Sequence, residues 1–205
     1  MQRDSDYLLW LNDDTELLPD ALTRLLEAEQ RIAAGGSRPG IIVGSTADPT
    51  TGRLTYGGHV ATRPLRPFSY ERVWSETEPV ECDAMNGNSV LIPIQVALAI
   101  GNLDPNFEHA MGDYDYALRA KAAGIGLFVA PGFIGYCKQR GRENTYMDTE
   151  LPLNLRWKRM MAKTGLPPRS WMRFTRLHGG PAWPVYFLWP YVKLIFSCAI
   201  RRKIR

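Results

Sequence analysis

Apolar and polar positions fall in alternating blocks along the first 135 or so residues. Tyr7 to Leu11, YLLWL, is a continuous apolar run that ends on Asn12-Asp13-Asp14. A short run of this kind, bounded by polar turn residues, predicts a buried strand in a mostly parallel or mixed sheet. Pro19-Asp20 then opens a helix through about Ala34, with Leu22, Leu25, Leu26 and Ile32 roughly along one face and Gly35-Gly36 ending it. GIIVG, residues 40–44, is a second buried strand, DPTTGR a turn, and LTYGGHV an arm of a hairpin. Residues 62–79 mix Pro, Arg and Ser without a period and are read as a loop. CDAMNGNSVLIP predicts a Gly-bearing turn, a strand over Ser89–Ile92, and then a helix from Pro93 to about Ile100.

The clearest helix signal is MGDYDYALRAKAA, residues 111–123. Carboxylates stand at its start, basic residues in its last turns, and Gly124 at its C-cap. IGLFVAP is a further strand. Strands alternating with helices predict an α/β protein with a mixed sheet and flanking helices. The character changes at Leu151: LNLRWKRMMAKTG is a basic amphipathic helix, LPPRSWMRFTRLHGGP a Pro/Gly-rich connector, and AWPVYFLWPYVKLIFSCAIRRKIR an aromatic, apolar stretch with a basic end. The chain thus divides into a body, 1–150, and a tail, 151–205.

Composition sharpens that division. With 205 residues, 45% of them hydrophobic, the chain can bury one good core. Residues 1–150 carry 13 Lys and Arg against 21 Asp and Glu, whereas residues 151–205 carry 12 basic residues and no acidic one. An acidic body bearing a basic tail points to phosphate or another anion as the tail's partner. Three cysteines without metal-site spacing favour a reduced compartment, and the N-terminal MQRDSD lacks the apolar core of a signal peptide, so the chain is expected on the cytosolic side.

Three polar groups carry candidate chemistry. Asn12-Asp13-Asp14 ends a buried strand, where clustered carboxylates either cap the next turn or meet a hard cation such as Mg²⁺ or Mn²⁺, held by one or two carboxylates plus a diphosphate. Asp113 and Asp115 open a helix, where one acid serves as a cap and two cannot both do so; Asp113 facing the sheet edge could act as a general base. Asn86-Gly87-Asn88 lies in a turn that is either simply tight or shaped for close backbone approach to a ligand.

In order, LNDDTELLP, GNSVLIP, GNLDPNF and GDYDYALRAKAAGIGLFVAP resemble the nucleotide-sugar glycosyltransferases of family 2, with the GT-A fold, over about residues 5–135. The resemblance implies transfer of a sugar, with inversion, from a nucleotide-diphosphate donor to a saccharide or lipid-linked acceptor hydroxyl. It makes Asn12 and Asp14 the ends of the Asp-x-Asp element, with a divalent metal on Asp14 and Asn12 and with Asp13 beside the donor's ribose or sugar. Asp113 becomes the base that takes the acceptor proton. Asn86, Gly87 and Asn88 are implied to line the donor-sugar and acceptor region, and Asp115 is assigned to substrate binding.

Departures from the family pattern bear on each of these. Gly112 stands where relatives carry Glu, and Cys137-Lys138 where many carry a His that completes the metal or diphosphate site; Lys138, Arg140 or Arg142 is either a substitute contact to diphosphate or part of a solvated basic loop. The βαβ units that bind the nucleotide base in relatives have no counterpart here. The resemblance therefore implies a longer enzyme, a partner that supplies that half, or a non-catalytic remnant that binds sugar or a partner enzyme. A metal-dependent nucleotidyltransferase is a further rival, but no Gly-rich, Lys-bearing phosphate loop supports it.

The tail has its own reading. Residues 181–200 contain one charge, Lys193, and three prolines that are expected to break a membrane span. With Trp183, Tyr186, Trp189 and Tyr191, and then Arg201, Arg202, Lys203 and Arg205, the segment predicts peripheral contact with the inner face of a membrane or, alternatively, a helix packed on the body. No nucleic-acid motif accompanies the basic residues, so nucleic acid is not expected as a partner.

Overall fold

The computed structural model describes residues 5–36, 39–62, 68–107, 111–139 and 141–204, with side chains described as far as residue 196. The chain separates into two compact units, residues 1–103 with 113–139 and residues 104–112 with 140–205. The second unit therefore joins residues 104–112 to residues 140–205.

The first unit is mixed α/β. Its main sheet contains β1 (Tyr7–Leu11), β10 (Ser89–Pro93), β3 (Ile41–Val43), β11 (Leu127–Val129) and β8 (Val80–Cys82), side by side in that order. β10 runs antiparallel to both β1 and β3, β11 runs parallel to β3, and β8 is antiparallel to β11. The C-terminal ends of β1, β3 and β11 therefore share one edge with the start of β10.

Period-2 alternation sorts the core onto the two faces of this sheet. Ile42 and Leu91 pack with Ala21, Leu25 and Ala28 of α1 (Ala21–Ala34). Ile41, Val43, Val90, Ile92, Leu127 and Val129 pack with Val96 and Ala97 of α2 (Ile94–Ile100) and with Tyr116, Ala117 and Ala120 of α3 (Gly112–Ala122). All five residues of β10 are buried, as its unbroken apolar run predicts.

Two smaller sheets complete the unit. One has the order β2 (Glu16–Leu17), β12 (Gly135–Tyr136), β4 (Thr46–Ala47) and β5 (Leu54–Tyr56), and the other β7 (Tyr70–Val73), β6 (Gly58–Ala61) and β9 (Ala84–Met85). LTYGGHV is thus not one arm but two strands in different sheets, separated at Gly57, whose φ of +156° suits glycine. The aperiodic stretch 62–79 contains β7, a strand made by pairing with β6 rather than by any pattern of its own. Residues 63–67 of that stretch lie outside the described residues.

The second unit is helical: α4 (Leu153–Met161), α5 (Pro168–His178), a 3₁₀ turn (Gly180–Ala182) and α6 (Trp183–Ile204). Two expectations change here. The Pro/Gly-rich connector contains α5, because Pro168 occupies the first turn, where its missing N–H costs nothing, and glycines follow only after His178. The prolines of the tail do not break it either: Pro184 falls in the first turn of α6, and the helix continues through Pro190. Trp171 Nε1 donates to Phe187 O at 3.1 Å and Tyr191 Oη to Leu166 O at 2.7 Å, tying α6 to α5 and to the segment before it. Among the described residues no helix is long and apolar enough to cross a membrane.

Candidate functional site

The strand edge that gathers β1 and β10 also gathers the candidate residues. β1 delivers Asn12, Asp13 and Asp14 into an exposed turn. Asn12 N–H donates to Asn88 O at 3.1 Å, extending the β1–β10 pairing by one bond past Leu11. The turn before β10 is held by side chains as well. Asn88 is buried, and its amide donates to Thr15 Oγ1 at 3.3 Å and to Cys137 Sγ at 3.4 Å. The Cys137 thiol, just after β12, lies 3.7 Å from Asp14 Oδ1 and donates to it.

On the other side of the turn, Gly87 N–H donates to Asp113 Oδ2 at 3.3 Å. Asp113 Oδ1 accepts the Tyr114 N–H at 2.9 Å, and the Asn86 side chain also bonds to the carboxyl. Burial pushes the Asp113 carboxyl above the usual carboxylate range, and these hydrogen bonds only partly offset it. An unbroken series of contacts, Asp14–Cys137–Asn88–Gly87–Asp113, thus joins four segments that are far apart in sequence.

The backbone is strained beside Asp113. Met111 has φ +74°, the left-handed region that a non-glycine residue enters at a cost of about 1–2 kcal/mol. Tyr114 packs between His59 and Tyr70, with ring centroids 5.5 and 5.4 Å away. Burial holds the His59 imidazole down, at about 4.

Asp115 is placed differently from its neighbour. It is fully buried and paired with Arg119, whose Nε lies 2.8 Å from its Oδ2. Arg119 also donates to Ile100 O and Asn102 O. In this position Asp115 braces α3 against the end of α2 through Arg119. Lys138 is exposed beyond Cys137, Arg142 belongs to the second unit, and Arg140 lies outside the described residues.

Comparison with protein families matches no family model, and no curated protein is significantly similar to the chain.

The donor set around Asp14 is sparse. Among the described residues no group of three or more His, Cys, Asp or Glu is placed to hold a metal ion. Asp14 and the Asn12 amide oxygen suit a hard divalent ion that takes the rest of its ligands from phosphate and water. They do not suit a resident ion in an all-protein cage. Two surface grooves of the first unit lie elsewhere, one lined by Asp20, Arg24, Glu27 and Arg31 and the other by Asp6, Tyr7 and Glu29.

Sequence reasoning reaches Asn12, Asp14, Asn86, Asn88 and Asp113 but not the links between them. Thr15 carries no signal at all. Cys137 is marked only as a departure from a family pattern, and its partner Asp14 is 123 positions away.

Proposed function

We propose that the first unit carries a glycosyl-transfer site of the GT-A, family 2 type. It would take a nucleotide-diphosphate sugar and pass the sugar, with inversion, to a hydroxyl of a saccharide or lipid-linked acceptor. The observation that carries this reading is the contact series from Asp14 to Asp113 at the end of the parallel strands, where open α/β sheets bind ligands. A diphosphate-facing carboxylate at one end of that series and a carboxyl of raised pKa at the other are the two functions the reaction needs.

Inverting transfer requires one base on the far face of the sugar and no protein nucleophile. Asp113 takes the acceptor's proton in this reading, and its raised pKa strengthens it as a base while Gly87 N–H and the Asn86 side chain fix its orientation. Asp14, with Asn12 two residues before it, would hold a divalent ion. When bound, that ion supplies positive charge against the departing diphosphate. Asn88 keeps the two ends in register by bonding to Thr15 and Cys137.

The test is turnover of UDP-, GDP- and dTDP-sugars by the full chain with Mn²⁺. Asp113→Asn is expected to lower kcat by about 10²–10⁴-fold with little change in donor KM. Asp14→Ala is expected to lower kcat/KM by about 10²-fold. Unchanged rates in both variants overturn the assignment.

A second reading is a partner-binding module derived from such an enzyme. The position of β1 at the edge of its sheet favours it, because Leu8 and Leu11 are exposed there. Donor turnover in the first assay decides against it.

A further inference from the structure

α6 is apolar around its whole circumference as far as its side chains are described, with Lys193 the one charge between residues 183 and 196. One side is covered within the second unit. Tyr191 and Leu194 are buried, Tyr191 lies against the Trp157 ring of α4, and the Phe187 carbonyl is held by Trp171 of α5. The other side is not covered. Val185, Leu188, Trp189, Val192, Ile195 and Phe196 recur at spacings of three and four and form a single stripe, exposed from 37% at Val192 to 64% at Phe196. A helix that is apolar all round belongs in a core or against lipid.

Charge decides between the occupants. Residues 151–205 contain no acidic side chain, and Arg201, Arg202, Lys203 and Arg205 begin five positions after Phe196 in the sequence. Two copies of α6 packed stripe to stripe would bring Lys193 and the terminal basic runs onto a partner helix with no acidic residue to meet them, in either orientation. An anionic lipid surface satisfies both halves of the helix. Acyl chains cover the stripe, Trp189 sits at headgroup depth, and phosphates neutralise the basic run. Among the described residues no helix is long and apolar enough to cross a membrane, and the docking proposed here is along the surface.

We propose that α6 docks on an anionic lipid surface through the stripe Val185–Phe196, the basic, acid-free composition of residues 151–205 supplying the charge complementarity. This goes beyond the glycosyl-transfer reading and does not depend on it, because the test uses neither donor nor acceptor.

The full chain is sedimented with vesicles of phosphatidylcholine alone and of phosphatidylcholine mixed with phosphatidylglycerol. It is expected to pellet with the mixed vesicles and to bind the neutral ones at least about tenfold more weakly, since each basic residue near the surface contributes roughly fivefold. Added salt should weaken the binding. The triple variant Leu188→Ser/Trp189→Ser/Phe196→Ser should lose about tenfold or more on mixed vesicles, through lost apolar burial. Its circular dichroism and urea melt should stay as in the wild type, since all three side chains are exposed. A wild-type chain that stays in the supernatant overturns the proposal, as does a folded triple variant that binds equally well. A concentration-dependent dimer in lipid-free analytical ultracentrifugation, abolished by the triple substitution, assigns the stripe to a second copy and also overturns it.

Discussion

Gly87 sits where the indole of Trp10 leaves no room for a side chain. A Cβ built there would lie 2.7 Å from Trp10 Cε2 and Cζ2, and Trp10 is itself fixed edge-on against Tyr116 at 6.0 Å. The requirement for glycine comes from this close approach, not from an unusual φ. Gly87→Ala is expected to cost about 1–3 kcal/mol, as overpacking does, measured by urea denaturation. The same shift would move the N–H that orients Asp113, so activity should fall more than stability alone explains. An unchanged melt would mean that Trp10 yields freely and that the contact is not tight.

At the scale of elements, the brace between α2 and α3 is the most exacting interaction. Asp115 has no exposed surface and relies on the Arg119 guanidinium, which also bonds to the carbonyls of Ile100 and Asn102. Arg119→Ala leaves that carboxylate buried without its cation, at an expected cost of about 3–5 kcal/mol in a urea melt. Arg119→Lys keeps the charge but loses the planar fork, so it should fall between wild type and alanine. Equal losses for the two variants would show that only the fork matters.

Elements also show where local pattern failed. α5 hides inside a segment bounded by prolines and glycines, yet its eleven residues pack Trp171 and Phe174 into the second unit. A proline at the first turn starts a helix, and composition alone does not separate that from a proline in a loop.

For the molecule as a whole, His59 sets an acid limit. Its imidazole is buried against Tyr114 and opposes Arg72 across β6 and β7, and its folded pKa falls to about 4 from an ordinary value of 6.5. Between these values the unfolded chain binds the proton and the folded chain does not, so stability is full above about pH 6.5 and is lost as pH falls toward 4. The loss is on the order of 3 kcal/mol. Asp113 acts in the opposite sense: its raised pKa favours the folded state as pH falls through it. Denaturation at pH 7, 5.5 and 4 should show the decline as roughly linear extrapolations, and His59→Gln should flatten it. A slope that survives His59→Gln assigns the acid sensitivity to other groups.

The sequence by itself determined what depends on neighbours along the chain. The apolar runs that become β1, β3 and β10, the glycine-terminated helices α1 and α3, the exposed acidic turn after Leu11 and the basic, acid-free tail all follow from short-range pattern. Hydrophobic periodicity and capping are local properties, which is why these were legible.

Only the tertiary structure decided what depends on pairing across distance. β7 and the two-residue strands exist because a partner supplies their hydrogen bonds, and β1 takes an edge position, with Leu8 and Leu11 exposed, rather than the buried one its apolar run predicts. Asp113 and Asp115 look equivalent in GDYDY, but Asp115 pairs with Arg119 whereas Asp113 accepts the Gly87 N–H. Cys137 meets Asp14 only because β12 pairs with β2, five residues past the end of β1. Burial and through-space contact are properties of the fold, and no spacing along the chain encodes them.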